Sequence, residues 1–127
     1  MSGETNRLVG LVNDINSNAC PKHYDMAVSA GEQVSVALLA AALEAENINS
    51  KGFLGFQLGV ITSDFHAKAR IQTIDSKKIQ DCWDKGIIPV IAGFQGVSSS
   101  GEITTLGRGG SDTSAVALAV ALKAGFC

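Results

Sequence analysis

The sequence contains few cysteines, and their spacing excludes two common uses of this residue. Cys20, Cys82 and Cys127 are odd in number and lie far apart, outside any Cys-x-x-Cys pattern. This spacing predicts neither a disulfide framework nor a zinc site, and we predict no other metal site. It fits a reducing compartment, so we expect a cytoplasmic protein.

The chain also lacks concentrated positive charge and long apolar runs. Its 127 residues include 10 Lys and Arg against 12 Asp and Glu, for a formal net charge of −2. Without a basic cluster we expect no nucleic-acid partner. The first ten residues lack the order of a secretory signal, and no apolar run reaches the roughly 18 residues of a membrane span. We expect no membrane partner, and any bound anion must be held by local groups.

What the chain does contain is the balance of one globular domain, with 46% apolar and 17% charged residues. Apolar periodicity predicts three helices in the first two thirds of the chain, at 5–16, 25–46 and 76–85. Ser2 or Thr5 could cap the first of these helices, and Gly86 could end the third. Gly31, inside the second helix, is best explained by close packing, although it would also admit a ligand.

Three apolar segments after the second helix are strand candidates. They read "KGFLGFQLGVIT" at 51–62, "KARIQTI" at 68–74 and "IIPVIAGF" at 87–94, where Pro89 indicates an edge or an early position. Helices that alternate with short continuous apolar strands are typical of an α/β fold. The sequence therefore predicts a three-layer αβα sandwich with a mostly parallel sheet.

The segment "TTLGRGGSDTSAVALAVAL", at 104–122, admits two interpretations. In the first, glycines at positive φ form a loop and Ser111 or Asp112 caps the following helix. In the second, backbone N–H groups and the helix dipole form an anion site. The segment has neither the Gly-Lys-Ser/Thr of a Walker A motif nor a Gly-x-Gly-x-x-Gly turn, so the common nucleotide motifs are absent from it.

This segment and four others, taken in order, resemble the catalytic domain of aspartokinases, which are members of the amino acid kinase family. The others read "VSAGEQVSVALLAAAL", "GVIT", "ARI" and "IAGFQGV", and the resemblance extends from Ser2 to Ala124. "TLGRGGSDT" is the most specific string. The resemblance implies transfer of the γ-phosphoryl group of MgATP to the side-chain carboxylate of L-aspartate, the first step toward lysine, methionine and threonine.

The resemblance also implies roles for residues that would hold the amino acid. Arg108 matches the arginine that grips the substrate α-carboxylate, a role suited to a two-pronged guanidinium. Ser111 and nearby N–H groups would add donors, and Glu32 would pair with the substrate ammonium. Three glycines would let the backbone wrap the anion: Gly107, Gly109 and Gly110.

Three further residues have implied roles and simpler alternatives. Thr5 would contact the substrate near its reacting end, or only cap a helix. Asp112 would organise the charged groups of the active site as the catalytic residue, or likewise be a cap. Phe94 would close the aspartate pocket, or belong to the core. Glu32, named above, also has a simpler alternative as a solvated helix residue. His23 and His66 have no partner at a defensible spacing and are interpreted as surface or satisfied side chains.

The sequence departs from the aspartokinase pattern in two respects. Ala67 and Lys68 stand where many relatives begin a Gly-Asn-Ala-Arg turn. The 127 residues also contain no "Lys-Phe-Gly-Gly-Ser/Thr"-like segment, whose lysine and glycines meet ATP phosphates, and no ACT region. We expect 1–127 to be the aspartate-binding part of a partial aspartokinase catalytic domain, with most of the MgATP site missing and little turnover.

Exposed sheet edges in such a partial domain would favour a homo-oligomer, or association with a complementing kinase chain. The alternative function is a non-catalytic module that binds a small anion or a partner protein.

Overall fold

The computed structural model describes residues 3–127, which form four α-helices and six strands. The helices are α1 (Glu4–Ile15), α2 (Pro21–Ala45), α3 (Lys77–Trp83) and α4 (Gly110–Ala121), and a 3-10 turn covers Gly55–Leu58. The strands are β1 (Ser50–Phe53), β2 (Ile61–Thr62), β3 (Ile71–Thr73), β4 (Ile88–Ile91), β5 (Gln95–Val97) and β6 (Ile103–Thr105). The predicted α/β class is confirmed.

The strands form a parallel pair and a mixed sheet. β1 pairs with β4 in parallel, and the second sheet has the order β3-β2-β5-β6, in which only β2 and β5 are parallel. Pro89 is the second residue of β4, an early position as expected. The sequence analysis missed the antiparallel hairpin of β5 and β6, which together with the antiparallel pair of β2 and β3 makes the second sheet mixed.

Helices cover both faces of the β1–β4 pair. On one face, Val36 of α2 packs with Val90 of β4. On the other face, Phe53 of β1 packs with Ile79 of α3, and Leu118 of α4 lies against the same cluster. The two apolar clusters are therefore separated by the strands, which gives the three layers that the sequence predicts.

Two helices begin differently from the sequence prediction. α2 starts at Pro21, about one turn early, because proline at the first helical position has a fixed φ suited to a helix and lacks only an N–H that would be unpaired there. α1 begins after Gly3, so Thr5 lies in its first turn and is not the cap, and Ser2 lies outside the described residues. The predicted C-cap of α3 is wrong: Asp84 is the C-cap residue, and Gly86 follows in the turn after the helix with φ 66°.

Gly31 has the packing role that the sequence favoured. A Cβ atom added there would meet Glu4 Cγ at 3.3 Å and Leu8 Cδ1 at 3.4 Å. Because glycine has no side chain, α1 can lie directly on α2.

The length and apolar composition of α2 must be compared with the expectation that the chain has no membrane span. Its 25 residues are long and apolar enough to cross a bilayer by length and composition alone, a test that core helices of soluble proteins also pass. Here α2 packs against α1, β1 and β6, and it holds the fully buried carboxylate of Asp25. These contacts tie α2 into the α/β fold, while Met26, Val34, Leu38 and Leu39 of the same helix are exposed.

Candidate functional site

One pocket collects every residue that the sequence proposes for the site. Its volume is about 510 Å³, and it lies between α1, α2 and the glycine-rich segment that leads into α4. The proposed residues that line it are Thr5, Glu32, Phe94, Gly107, Arg108, Gly109, Gly110, Ser111 and Asp112. Residues up to 107 positions apart in sequence, from Thr5 to Asp112, thus meet at one site.

We call residues 107–110 the anion loop. Its glycines are required for different structural reasons. Gly107 and Gly109 have φ values of 80° and 75°, a left-handed region that disfavours other residues. A Cβ atom at Gly107 would also lie 2.9 Å from the carbonyl oxygen of Ala67. At Gly110 it would lie 2.7 Å from Cδ2 of Phe94. The loop can follow this path only with glycine at these positions.

The side-chain cap of the first interpretation of this segment is absent from α4. Gly109 is the N-cap residue, and no side chain caps the helix, because the chain enters α4 from the left-handed region at Gly109 and not through Ser111 or Asp112. Both of those residues lie in the first turn, where backbone N–H groups have no acceptor within the helix. These N–H groups and the helix dipole favour an anion at this end of α4.

The charged side chains of the pocket are free of ion pairs in the described part of the chain. Arg108 and Asp112 are exposed and Glu32 is half-buried. None of the three has an oppositely charged side-chain atom within 4.0 Å among residues 3–127. One guanidinium and two carboxylates are therefore available to a ligand that carries both signs of charge.

Phe94 joins β4 and β5 to the start of α4. Its φ of 66° is uncommon for a residue with a side chain, and two hydrogen bonds hold it there. Its N–H donates to Ser114 Oγ at 2.9 Å, and its carbonyl accepts from the N–H of Leu106 at 2.9 Å. Backbone held in such a region is common at binding sites, and the ring contacts Gly110 at the pocket wall.

α1 supplies the opposite wall through Thr5, Asn6 and Val9. At its N-terminus the Arg7 guanidinium donates hydrogen bonds of 3.0 and 2.7 Å to the two carboxylate oxygens of Glu4. These bonds lower the pKa of Glu4 below its ordinary value. Glu4 therefore stays charged beside Gly31, and it forms its ion pair with Arg7 and not with Arg108.

A buried carboxylate behind the pocket escaped the sequence analysis. Asp25 is fully buried and lies 2.7 Å from Nδ1 of His66, so this histidine is satisfied, one of the two interpretations left open. Asp25 also accepts hydrogen bonds from Ala67 and Thr105, which both line the pocket. A usable signal was the spacing of Asp25 and Glu32, which are seven residues apart and share a helix face.

Ala67 stands at the departure from the Gly-Asn-Ala-Arg pattern. Its backbone is left-handed there, with a φ of 61°. The hydrogen bonds from its N–H to Asp25, at 3.0 and 3.1 Å, hold this turn in place.

A second, larger hollow of about 860 Å³ lies between β3 and α4. It shares Asp112 with the first pocket but contains none of the other proposed residues, and its lining includes the exposed apolar side chain of Val116. No group of three or more His, Cys, Asp or Glu residues at 3–127 is arranged to hold a metal ion. The first pocket is therefore the candidate site.

Comparison with known proteins gives consistent results. Residues 2–127 match the sequence model of the amino acid kinase family. The chain is 50% identical over 127 residues to an aspartokinase of Geobacillus stearothermophilus, covering all of this chain and 31% of that protein. The chain thus spans about a third of the length of this curated relative.

Solved structures show the same relation. An aspartate kinase from Synechocystis has a TM-score of 0.78 and 45% identity, covering 100% of this chain and 20% of that chain. Aspartokinase III of E. coli, solved in complex with aspartate and ADP, has a TM-score of 0.78 and 27% identity, covering 94% of this chain and 27% of that chain. The fold of residues 3–127 is that of these kinases over the shared part.

Proposed function

Because the chain belongs to the amino acid kinase family, we propose that its pocket binds L-aspartate and provides the acceptor side of an aspartate kinase. The observation that carries the proposal is the convergence of Arg108, Glu32 and the uncapped start of α4 on one pocket. A relative of known structure was solved with aspartate and ADP, which supports the same ligand class.

The charges of the pocket suit an amino acid with a second carboxylate. Arg108 would grip the α-carboxylate with its two-pronged guanidinium, aided by Ser111 and the N–H groups of the anion loop. Glu32 would accept a hydrogen bond from the ammonium. The side-chain carboxylate of aspartate would then lie toward Thr5, while Asp112 orders the charged groups and Phe94 closes the pocket.

In the reaction we propose, this carboxylate attacks the γ-phosphorus of MgATP, the co-substrate, and ADP leaves. Phosphoryl transfer is catalysed mainly by positioning and by groups that neutralise developing charge. Within the described residues, Arg108 is the one cationic side chain of the pocket, and our proposal uses it for the α-carboxylate. We therefore expect little kinase turnover from the 127 residues alone.

Calorimetric titration with L-aspartate tests the binding step. A hydrogen bond to a charged group contributes about 1.5 to 3 kcal/mol, so Arg108→Ala should weaken binding roughly 10- to 150-fold at about 1.4 kcal/mol per tenfold. Arg108→Lys should recover only part of this loss, because an ammonium lacks the paired donors. Arg70→Ala is the matched control, since Arg70 is also exposed but lies outside the pocket.

Equal heats for the wild-type chain and Arg108→Ala would remove Arg108 from the site. An assay of acyl phosphate as hydroxamate, with ATP and Mg²⁺, separates kinase turnover from binding alone. Aspartate binding without turnover would fit the proposed acceptor half. Binding of other small anions in preference to aspartate would favour the alternative, a non-catalytic anion or partner-binding module.

We also propose that the chain self-associates or pairs with a complementing kinase chain. Among residues 3–127, β3 has one free edge in the second sheet, and an unpaired edge of this kind can pair with another strand. Sedimentation should show a mass that rises with concentration. A stable monomer over a wide concentration range would contradict self-association.

A further inference from the structure

Asp25 is a fully buried carboxylate for which the proposed reaction has no use. Its Oδ2 atom lies 2.7 Å from His66 Nδ1 and accepts from the N–H groups of Ala67 and Thr105 at 3.0 and 3.1 Å. Its Oδ1 atom accepts from the Thr105 hydroxyl at 2.6 Å. A buried charge is costly unless it is fully hydrogen-bonded, and here each oxygen has at least two partners.

The partners of Asp25 are the two segments that support the anion loop. Thr105 is the last residue of β6, two positions before Gly107. The Ala67 carbonyl lies 2.9 Å from where a Cβ of Gly107 would be. A further bond, from the Ala69 N–H to the Thr105 carbonyl at 2.9 Å, joins the two segments to each other. One carboxylate on α2 thus holds both sides of the point where the loop begins.

We infer that Asp25 is a positioning residue for the anion loop, acting through Thr105 and Ala67 to keep Arg108 at the pocket. The effect on affinity rests on the proposed binding of aspartate, whereas the effect on the order of the loop does not. Asp25 itself does not line the pocket, so it contacts no ligand there and differs in this from Arg108 and Glu32.

Asp25→Asn tests this role with almost no change of shape. A carboxylate only accepts hydrogen bonds, whereas an amide replaces one acceptor oxygen by an NH₂ donor. With the NH₂ at the Oδ2 position, the Thr105 N–H loses its acceptor. With the NH₂ at the Oδ1 position, the Thr105 hydroxyl loses its acceptor, and the Ala67 N–H keeps only Oδ2. Either way a donor of the pocket wall loses its acceptor.

A matched control lies one residue away on the same strand. Thr104 is as buried as Thr105, but its hydroxyl bonds to Thr62 Oγ1 at 2.5 Å and it does not line the pocket. Thr104→Val therefore breaks a buried hydrogen bond of β6 without touching the Asp25 cluster. It should lower stability and leave aspartate affinity unchanged.

Amide hydrogen exchange of the free chain provides the first measurement. In Asp25→Asn, exchange should accelerate about tenfold or more in 66–69 and 105–110, while α3 and β4 keep wild-type rates. An even acceleration throughout the chain, as expected for Thr104→Val, or no acceleration at all, would overturn the inference. If Asp25→Asn does not fold, Thr105→Val removes one of the same bonds at nearly constant volume and is judged by the same criteria.

Calorimetry with L-aspartate provides the second measurement. Asp25→Asn should weaken binding about 2- to 30-fold. In an Arg108→Ala background the same substitution should weaken binding much less, because the effects of two substitutions that act through one contact are not additive. Full additivity would overturn the claim that Asp25 acts through Arg108. If the wild-type chain binds no aspartate, the proposed function fails, and the exchange experiment still decides the role of Asp25.

Discussion

The pocket side of the molecule and the side covered by α3 are held together by different forces. Behind the pocket, Asp25 joins α2 to residues 66–67 and to Thr105 through hydrogen bonds that require particular atoms in particular directions. Beneath α3, Leu58, Ile79 and Cys82 form an apolar cluster that depends on burial alone. Changes on the first side should therefore act mainly on ligand binding, and changes on the second should act mainly on stability.

The largest expected effect lies in the apolar cluster. Ile79 is fully buried, and Ile79→Ala should lower the free energy of unfolding by about 2 to 5 kcal/mol, through lost burial and the cavity left behind. Urea denaturation measures this loss. Ile88→Ala, at a strand position that is 48% exposed, should cost much less. A changed aspartate affinity in folded Ile79→Ala would break the separation between the two sides.

Glu32→Gln should weaken ligand binding and leave stability almost unchanged, which is the reverse of the effect of Ile79→Ala. Loss of a charge-assisted bond to the ligand ammonium should weaken aspartate binding by about 1.5 to 3 kcal/mol with little change in urea denaturation. Succinate, which has no ammonium, should bind the variant and the wild-type chain alike in calorimetry. Glu44→Gln, at an exposed position on the same helix, is the control. An equal loss of succinate affinity would contradict the assignment of Glu32 to the ammonium.

Gly110→Ala should affect both properties at once, because Gly110 belongs to the pocket and to the packing of α4. The added Cβ would lie 2.7 Å from Cδ2 of Phe94 and 3.0 Å from Cβ of Leu106. Such overpacking typically costs about 1 to 3 kcal/mol of stability, and movement of Phe94 should also lower aspartate affinity. Thermal denaturation and calorimetry measure the two losses. Wild-type values for both would show that this contact can relax freely.

The smallest expected effect is a gain. Gly10 lies inside α1, and a Cβ added there would have no atom within 4 Å. Gly10→Ala should therefore raise the free energy of unfolding by about 0.5 to 1 kcal/mol, since alanine loses less backbone entropy in a helix. Urea denaturation measures the gain. Lower stability would mean that α1 moves closer to its neighbours than the structure shows.

Most helices of the fold could be predicted because their apolar spacing is local information. The hairpin of β5 and β6 could not, since its strands have three residues each and are joined by a polar segment rich in serine. The sequence left two interpretations of the start of α4. Ser111 and Asp112 both have side chains typical of a cap, but the positive φ of Gly109 determines where the helix begins.

The residues of the site were predicted from a family pattern, and their roles stay predictions. Their convergence on one pocket could not be derived from spacing, because it depends on how α1, α2 and the anion loop pack. Asp25 shows the limit most clearly. Its partners His66 and Thr105 lie 41 and 80 positions away, and the local signal is limited to the helix face that Asp25 shares with Glu32.

The packing of α1 on Gly31 has a consequence for the rates at which a ligand binds and leaves. No residue of α1 from Glu4 to Ile15 is fully buried, and segments with few buried contacts open locally at lower free energy than a core. α1 nevertheless carries the wall of the pocket that contains Thr5. We expect motion of α1 away from Gly31 to shorten the residence time of a ligand, even where Arg108 governs its affinity.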